Sequence, residues 1–225
     1  MSTNQSLMDR LTESPVYGEF VAHEFFSEVK SKPLSKSQVA VFVGQWWHPL
    51  HYFPTFLARS VSVLPDICSK SAITHILSQE VGDGKPDMAH EVIYTRSMRI
   101  AGFDVDAVTG TAALPETTDL VNGYEKASAE HLSALGFVFA TEVTDLLMVS
   151  TIGLAVERAT GIGDLEWVDI HISQEPDHVE EAGHSLTQNF GQDEEARILA
   201  SAEDMWRLWH RFFDGLAKEI GITGL

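Results

Sequence analysis

Residues 171–178 read His-Ile-Ser-Gln-Glu-Pro-Asp-His, which sets His171, Glu175 and His178 at positions i, i+4 and i+7. On an α-helix those offsets are rotations of about 40° and about −20° from the first residue, so the three side chains share one face. A helix with this stripe must either turn it to water or close it around a polar centre. Two imidazoles and a carboxylate build a poor apolar core, but they are a good donor set for a transition metal such as iron or manganese. Carboxylates and histidines at suitable positions elsewhere in the chain favour the metal. Pro176 inside the stripe removes a backbone donor and clashes with the preceding turn, so the helix is expected to kink, loosen or end early there.

Nearly every other segment also carries helical periodicity, and none alternates convincingly with period two. Ser14-Pro15 opens a helix that the apolar spacing of Phe20, Val21, Phe25 and Val29 carries to Lys30. Ser35 or Ser37 caps a second helix reaching about Val61, and Leu64-Pro65-Asp66 breaks the chain. A third helix runs from about Ser69 to near Val81, where Gly82-Asp83-Gly84-Lys85-Pro86-Asp87 interrupts it. The next covers Met88 to Ala101. Residues 104–115 read as a loop with one helical turn, and Glu116 to Arg158 as two helices or one kinked at Gly136. Asp164 is the expected N-cap of the His-Glu-His helix, and Asp193 to Ile220 forms a long amphipathic helix. With no repeat or linker, residues 1–225 read as one all-α domain.

Composition narrows the function. The net charge of −18 disfavours partners bound through clustered Lys and Arg, both nucleic acid and anionic membrane surfaces. Residues 1–11 lack the pattern of a secretory signal, and no apolar run approaches the ~20 residues of a membrane span, so a cytoplasmic protein is expected. Cys68 is the single cysteine, which rules out an intrachain disulfide and a zinc–thiolate cluster.

Three residues outside the stripe are its candidate partners. Glu80 closes an apolar helix and His90 opens the next. A continuous helix would hold them about 15 Å apart, so only a turn at the glycine-rich interruption brings both to one site. Glu142 lies in the strongly apolar stretch 135–149, where an isolated buried charge is too costly, so it is either ligated or salt-bridged. Asp145, one turn further on, is read as a comparison carboxylate outside the ligand set. The aromatic run 46–56 suits a core or a pocket wall equally; Trp47, Tyr52 and Arg96 are its substrate-pocket candidates. Arg59, Arg99 and Arg158 are the other scarce cations near the core helices.

The set Glu80, His90, Glu142, His171, Glu175 and His178 resembles the haem-oxygenase-like di-iron oxidases and oxygenases over roughly residues 15–215. Relatives on this fold include the thiaminase-like and pyrroloquinoline-quinone-synthase proteins. The resemblance implies a bundle of about seven core helices in which these six residues hold two irons (Fe2+/Fe3+), with Glu142 bridging and O2 as co-substrate. It implies no catalytic residue beyond the ligands, and a stripe helix that is often ill-ordered until metal binds. Family members often carry Asp where Glu175 stands. Some add a ligand from the earlier core helix, where this chain offers His51 in preference to His48. The expected activity is oxidation of a small amino-acid-like or carboxylic substrate by C–C cleavage, desaturation, decarboxylation or N-oxygenation, in specialised metabolism. An external electron donor and a homodimer are compatible with it. The competing readings are a thiaminase-like or pyrroloquinoline-quinone-synthase-like enzyme without a di-iron centre, which would want a nucleophilic cysteine where Cys68 lies away from the ligands, a haem protein with His23 as proximal ligand, and a non-catalytic iron-binding protein.

Overall fold

The computed structural model describes residues 6–222; residues 1–5 and 223–225, the two ends of the single-domain reading, lie outside it. Within it the chain forms eleven α-helices and one 3-10 turn, with no strand among the described residues. Four helices are short: α1 (Leu7–Thr12), α2 (Pro15–Val21), α3 (Glu24–Ser31) and α7 (Val105–Thr109). Seven have eleven residues or more and make the bundle: α4 (Lys36–Val63), α5 (Ile67–Glu80), α6 (His90–Ile100), α8 (Pro115–Ala127), α9 (His131–Thr160), α10 (Glu166–His184) and α11 (Gln192–Glu219).

Local chemistry sets most boundaries. Ser14 caps α2 with Pro15 in its first turn, and Ser35 caps α4 through a reciprocal pair of bonds with Gln38. Asp66 caps α5 by accepting from the Ser69 amide, so that helix begins at Ile67 and not at Ser69. The continuous helix expected over 15–30 is divided. The imidazole of His23 accepts the Phe25 amide and starts α3 afresh, at the cost of one helical turn. Asp164 does not cap the stripe helix; Leu165 occupies that position without a side-chain bond.

Gly136 does not mark a kink. The break after α8 falls at residues 128–130, and Gly136 lies inside α9 facing α11. A Cβ there would sit 2.5 Å from the Ile198 carbonyl oxygen and 2.9 Å from the Ala202 nitrogen. The glycine is a packing requirement, since only a residue without a Cβ lets the two backbones approach this closely.

Helix α9 is the central element, packed against α11, α10 and α4. Contrary to the sequence expectation, it is long and apolar enough to cross a membrane, but 72% of that apolar stretch is buried inside the protein. The bundle therefore spends this helix on its own core. Aromatic side chains fill that core, with Phe20, Phe25, Phe42, Phe213, Trp167, Trp206 and Trp209 almost fully buried.

Candidate metal centre

The glycine-rich interruption brings α5 and α6 to one place. Gly82, Asp83 and Gly84 all take positive φ (84°, 51° and 79°), which reverses the chain within three residues. A Cβ at Gly82 would lie 2.3 Å from the Lys85 carbonyl, so this turn requires glycine. The last residue of α5 then faces the first of α6: Glu80 Oε2 is 3.0 Å from His90 Nδ1. Helix α10 runs unbroken through Pro176 and buries the stripe, with His171, Glu175 and His178 each 5% exposed or less. Helix α9 adds Glu142, whose Oε2 lies 3.3 Å from His178 Nδ1.

The six residues meet as two buried triads. Glu80, His90 and His171 can each direct a donor atom to one point, as can Glu142, Glu175 and His178. Glu80 also reaches toward the second triad, 4.0 Å from His178. Around them the imidazoles are oriented from behind. His171 Nδ1 donates to the Trp167 carbonyl at 2.7 Å, which leaves Nε2 as its free donor atom. His90 Nε2 is bonded to the Gln174 side chain at 3.0 Å, which leaves Nδ1 toward Glu80.

The interior polar atoms are not satisfied by one another. Glu142 Oε1, Asp145 Oδ2, both Glu175 oxygens and His178 Nε2 are shielded from solvent and make no hydrogen bond, and His90 Nδ1 meets only the Glu80 carboxylate, without hydrogen-bond geometry. Buried polar groups of this kind are normally paired, and here six sit together around common points. None of the carboxylates pairs with Lys or Arg among the described residues. Carboxylates and imidazoles facing a shared point suit an iron-type cation.

Electrostatics report the same crowding. Burial would raise Glu80, but the imidazoles of His90, His171 and His178 outweigh it and hold the carboxyl down at about 2. Burial pushes His171 down to about 3, so it is neutral and able to ligate. Burial raises Glu175 to about 12, reinforced by the charges of Asp145 and Glu142. His178, unlike His171, is raised: burial opposes protonation, but Glu142 and Glu80 lift it to about 9.

Asp145 is the residue that the sequence reading passed over. Its side chain is 15% exposed, and its Oδ2 lies 4.0 Å from His171 Nε2. Its carboxyl stands near that of Glu175, whose protonation its negative charge favours. The available signal was its place three residues after Glu142 on the same apolar helix, hence on the same face.

Beside the triads is a cavity of about 30 Å³, room for roughly one water-sized molecule. Trp46, Pro49, Leu50 and Phe53 of α4, Tyr124 of α8 and Trp209 of α11 wall it opposite Glu80, Glu142, Asp145 and His171. On the wall opposite the carboxylates the polar groups are uncharged: Tyr124 bonds Thr141 at 3.0 Å, and the indole N–H groups of Trp46 and Trp209 have no partner.

The three pocket candidates from the sequence do not line this cavity. Trp47 stacks on His51 and Tyr94. Tyr52 bonds Glu125, and Arg96 holds Glu166 with two hydrogen bonds at the surface. The helical phase of α4 explains the difference, since it turns 46, 49, 50 and 53 inward and leaves 47 and 52 half-buried outside the cavity. His51 does not join the triads: it is exposed and paired with Glu91 at 2.7 Å. Arg59 pairs with Glu125, and Arg158 binds the carbonyls at the end of α3. His23 faces Asp214 at 3.2 Å among Phe26 and Phe213 and does not line the cavity. Cys68 is exposed near the start of α5 and does not reach the cavity.

Residues 40–210 match the sequence profile of a family described as iron-containing redox enzymes. No curated protein sequence matches the chain. Solved structures do. A domain of unknown function with a haem-oxygenase-like fold from Shewanella denitrificans OS217 aligns with TM-score 0.77 at 19% identity, over 96% of this chain and 92% of that one. A CADD-like protein of unknown function from Nostoc punctiforme PCC 73102 aligns with TM-score 0.77 at 16% identity, over 95% of each chain. A TenA homologue from Pseudomonas syringae pv. tomato DC3000 aligns with TM-score 0.74 at 13% identity, over 95% and 93%. At these identities the likeness is one of fold: the bundle is haem-oxygenase-like.

Proposed function

The chain belongs to the family of iron-containing redox enzymes, and from that premise we propose that it is a non-haem di-iron oxidoreductase acting with O2 on a small organic substrate. The observation that carries this reading is the pair of buried triads, Glu80/His90/His171 and Glu142/Glu175/His178, whose inner atoms lack partners beside an aromatic cavity. Two irons held there would supply the redox chemistry that activates O2. The protein's own contribution is positional. The Trp167 carbonyl and Gln174 fix two of the imidazoles, and the indole and phenyl rings of α4 and α11 keep bulk water from the carboxylates. Neutral His171 needs no proton removed before it ligates.

The cavity also constrains the substrate. It offers no Lys or Arg, so the arginine-anchored amino acid expected from the sequence loses its anchor. A substrate larger than a water molecule needs this wall to open, and its apolar part would then meet Trp46, Phe53 and Trp209, with any carboxylate directed to the metals or to the uncharged donors. The thiaminase-like alternative shares the fold but lacks a cavity nucleophile here, since Cys68 is exposed.

Anaerobic Fe(II) titration with elemental analysis, followed by O2-consumption assays against small carboxylic acids and amino acids, tests the proposal. About two irons per chain and substrate-dependent O2 uptake are expected. Iron uptake with no substrate-dependent O2 consumption would indicate a non-catalytic iron-binding protein, and no iron uptake would reject the reading.

A further inference from the structure

We propose that Asp145 is a seventh ligand of the metal centre, supplying a carboxylate at the seam between the two triads; this rests on the di-iron reading above. Three observations converge on it. Its position on α9, one turn after Glu142, points it into the same interior, where it lines the cavity with Glu80, Glu142 and His171. It touches both triads, 4.0 Å from His171 Nε2 of the first and beside the Glu175 carboxyl of the second. Its Oδ2 is shielded from solvent and has no hydrogen-bond partner, as is true of four of the six other residues around the centre.

Charge balance gives the reason for a seventh residue. Two divalent cations carry four positive charges, and three neutral imidazoles offset none of them. Glu80, Glu142 and Glu175 offset three, leaving a net charge in a low-dielectric interior, which is costly. Asp145 brings the carboxylates to four and the buried centre to neutrality. No lysine or arginine stands against Asp145 among the described residues, so a salt bridge does not account for its burial. An aspartate whose only role was packing would also be replaceable by its amide, which has nearly the same shape.

The test compares wild type, Asp145→Asn and Asp145→Glu by anaerobic Fe(II) titration, Mössbauer spectroscopy and thermal melting with and without iron. Wild type should bind two irons. Asp145→Asn should bind the second at least about tenfold more weakly and change the Mössbauer parameters, and Asp145→Glu should recover part of the affinity. The metal-free Asn variant should melt no lower than wild type, because it relieves carboxylate crowding, yet lose much of the iron-induced rise. Two irons bound with unchanged affinity and spectrum in Asp145→Asn would overturn the proposal while leaving the six-residue site intact. A metal-free Asn variant that melts well below wild type, with normal iron binding, would likewise overturn the proposal, because the carboxylate would then stabilise the fold and not the metal. Absence of iron from wild type itself would overturn both readings.

Discussion

Replacing Gly136 by Ala tests whether the centre depends on the close approach of α9 and α11. The added Cβ would lie 2.5 Å from the Ile198 carbonyl oxygen, about 0.9 Å inside the 3.4 Å at which ordinary contact begins. Two of its three nearest neighbours are backbone atoms, so no rotamer change relieves the clash and the helices must separate. Overpacking of this kind costs about 1–3 kcal/mol, and the better helix propensity of Ala returns up to about 1 kcal/mol. With that gain subtracted in full, a net loss of up to about 2 kcal/mol follows, which for a chain of this size lowers Tm by up to about 8 °C. Gly18→Ala in α2 is the matched control, because its Cβ would meet nothing within 4 Å; it should leave Tm unchanged or raise it. Since α9 also carries Glu142 and Asp145, Gly136→Ala should weaken iron binding as well. Thermal melting by circular dichroism and Fe(II) titration read the two effects. If Gly136→Ala were as stable as Gly18→Ala and bound iron normally, the requirement for a bare backbone contact would be refuted.

Other outcomes follow from the site. His171→Ala and His178→Ala should each lose about one iron per chain while remaining helical, because a ligand is removed without emptying the apolar core; wild-type stoichiometry in both would displace the stripe from the centre. The metal-free protein should lose stability as pH rises from about 7 to 9. Raised groups give stability that is full below their unfolded pKa and fades as pH climbs through the folded value, which is about 9 for His178 and about 12 for Glu175. Iron should reverse that trend, since it replaces the proton on both; melting curves across that range with and without metal decide it, and a flat metal-free profile counts against the buried coupling. Residues 171–184 should gain amide protection when Fe(II) is added, as three ligands and Pro176 share one helix, and equal hydrogen exchange in both states would mean a preformed site. His51→Ala and Arg96→Ala should leave iron binding unchanged, because both side chains are engaged with surface carboxylates.

The sequence by itself determined the helical class, most helix boundaries and the six residues that converge. Helical periodicity and capping are local, so Ser14, Ser35 and the Gly82–Gly84 interruption were legible without tertiary information, as was the one-face spacing of His171, Glu175 and His178. What it could not supply was the rotation of each helix about its own axis. That angle is set by packing against neighbours, and it turned Trp46 and Phe53 inward and Trp47 and Tyr52 away from the cavity. The approach of α9 to α11 likewise made Gly136 a contact and not a kink, and His23, by capping α3 and reaching Asp214, divided a helix whose apolar spacing was continuous. Asp145 entered the centre for the same reason: its distance to His171 and Glu175 exists only once α9 and α10 are packed together, and no spacing along the chain encodes a separation across two helices.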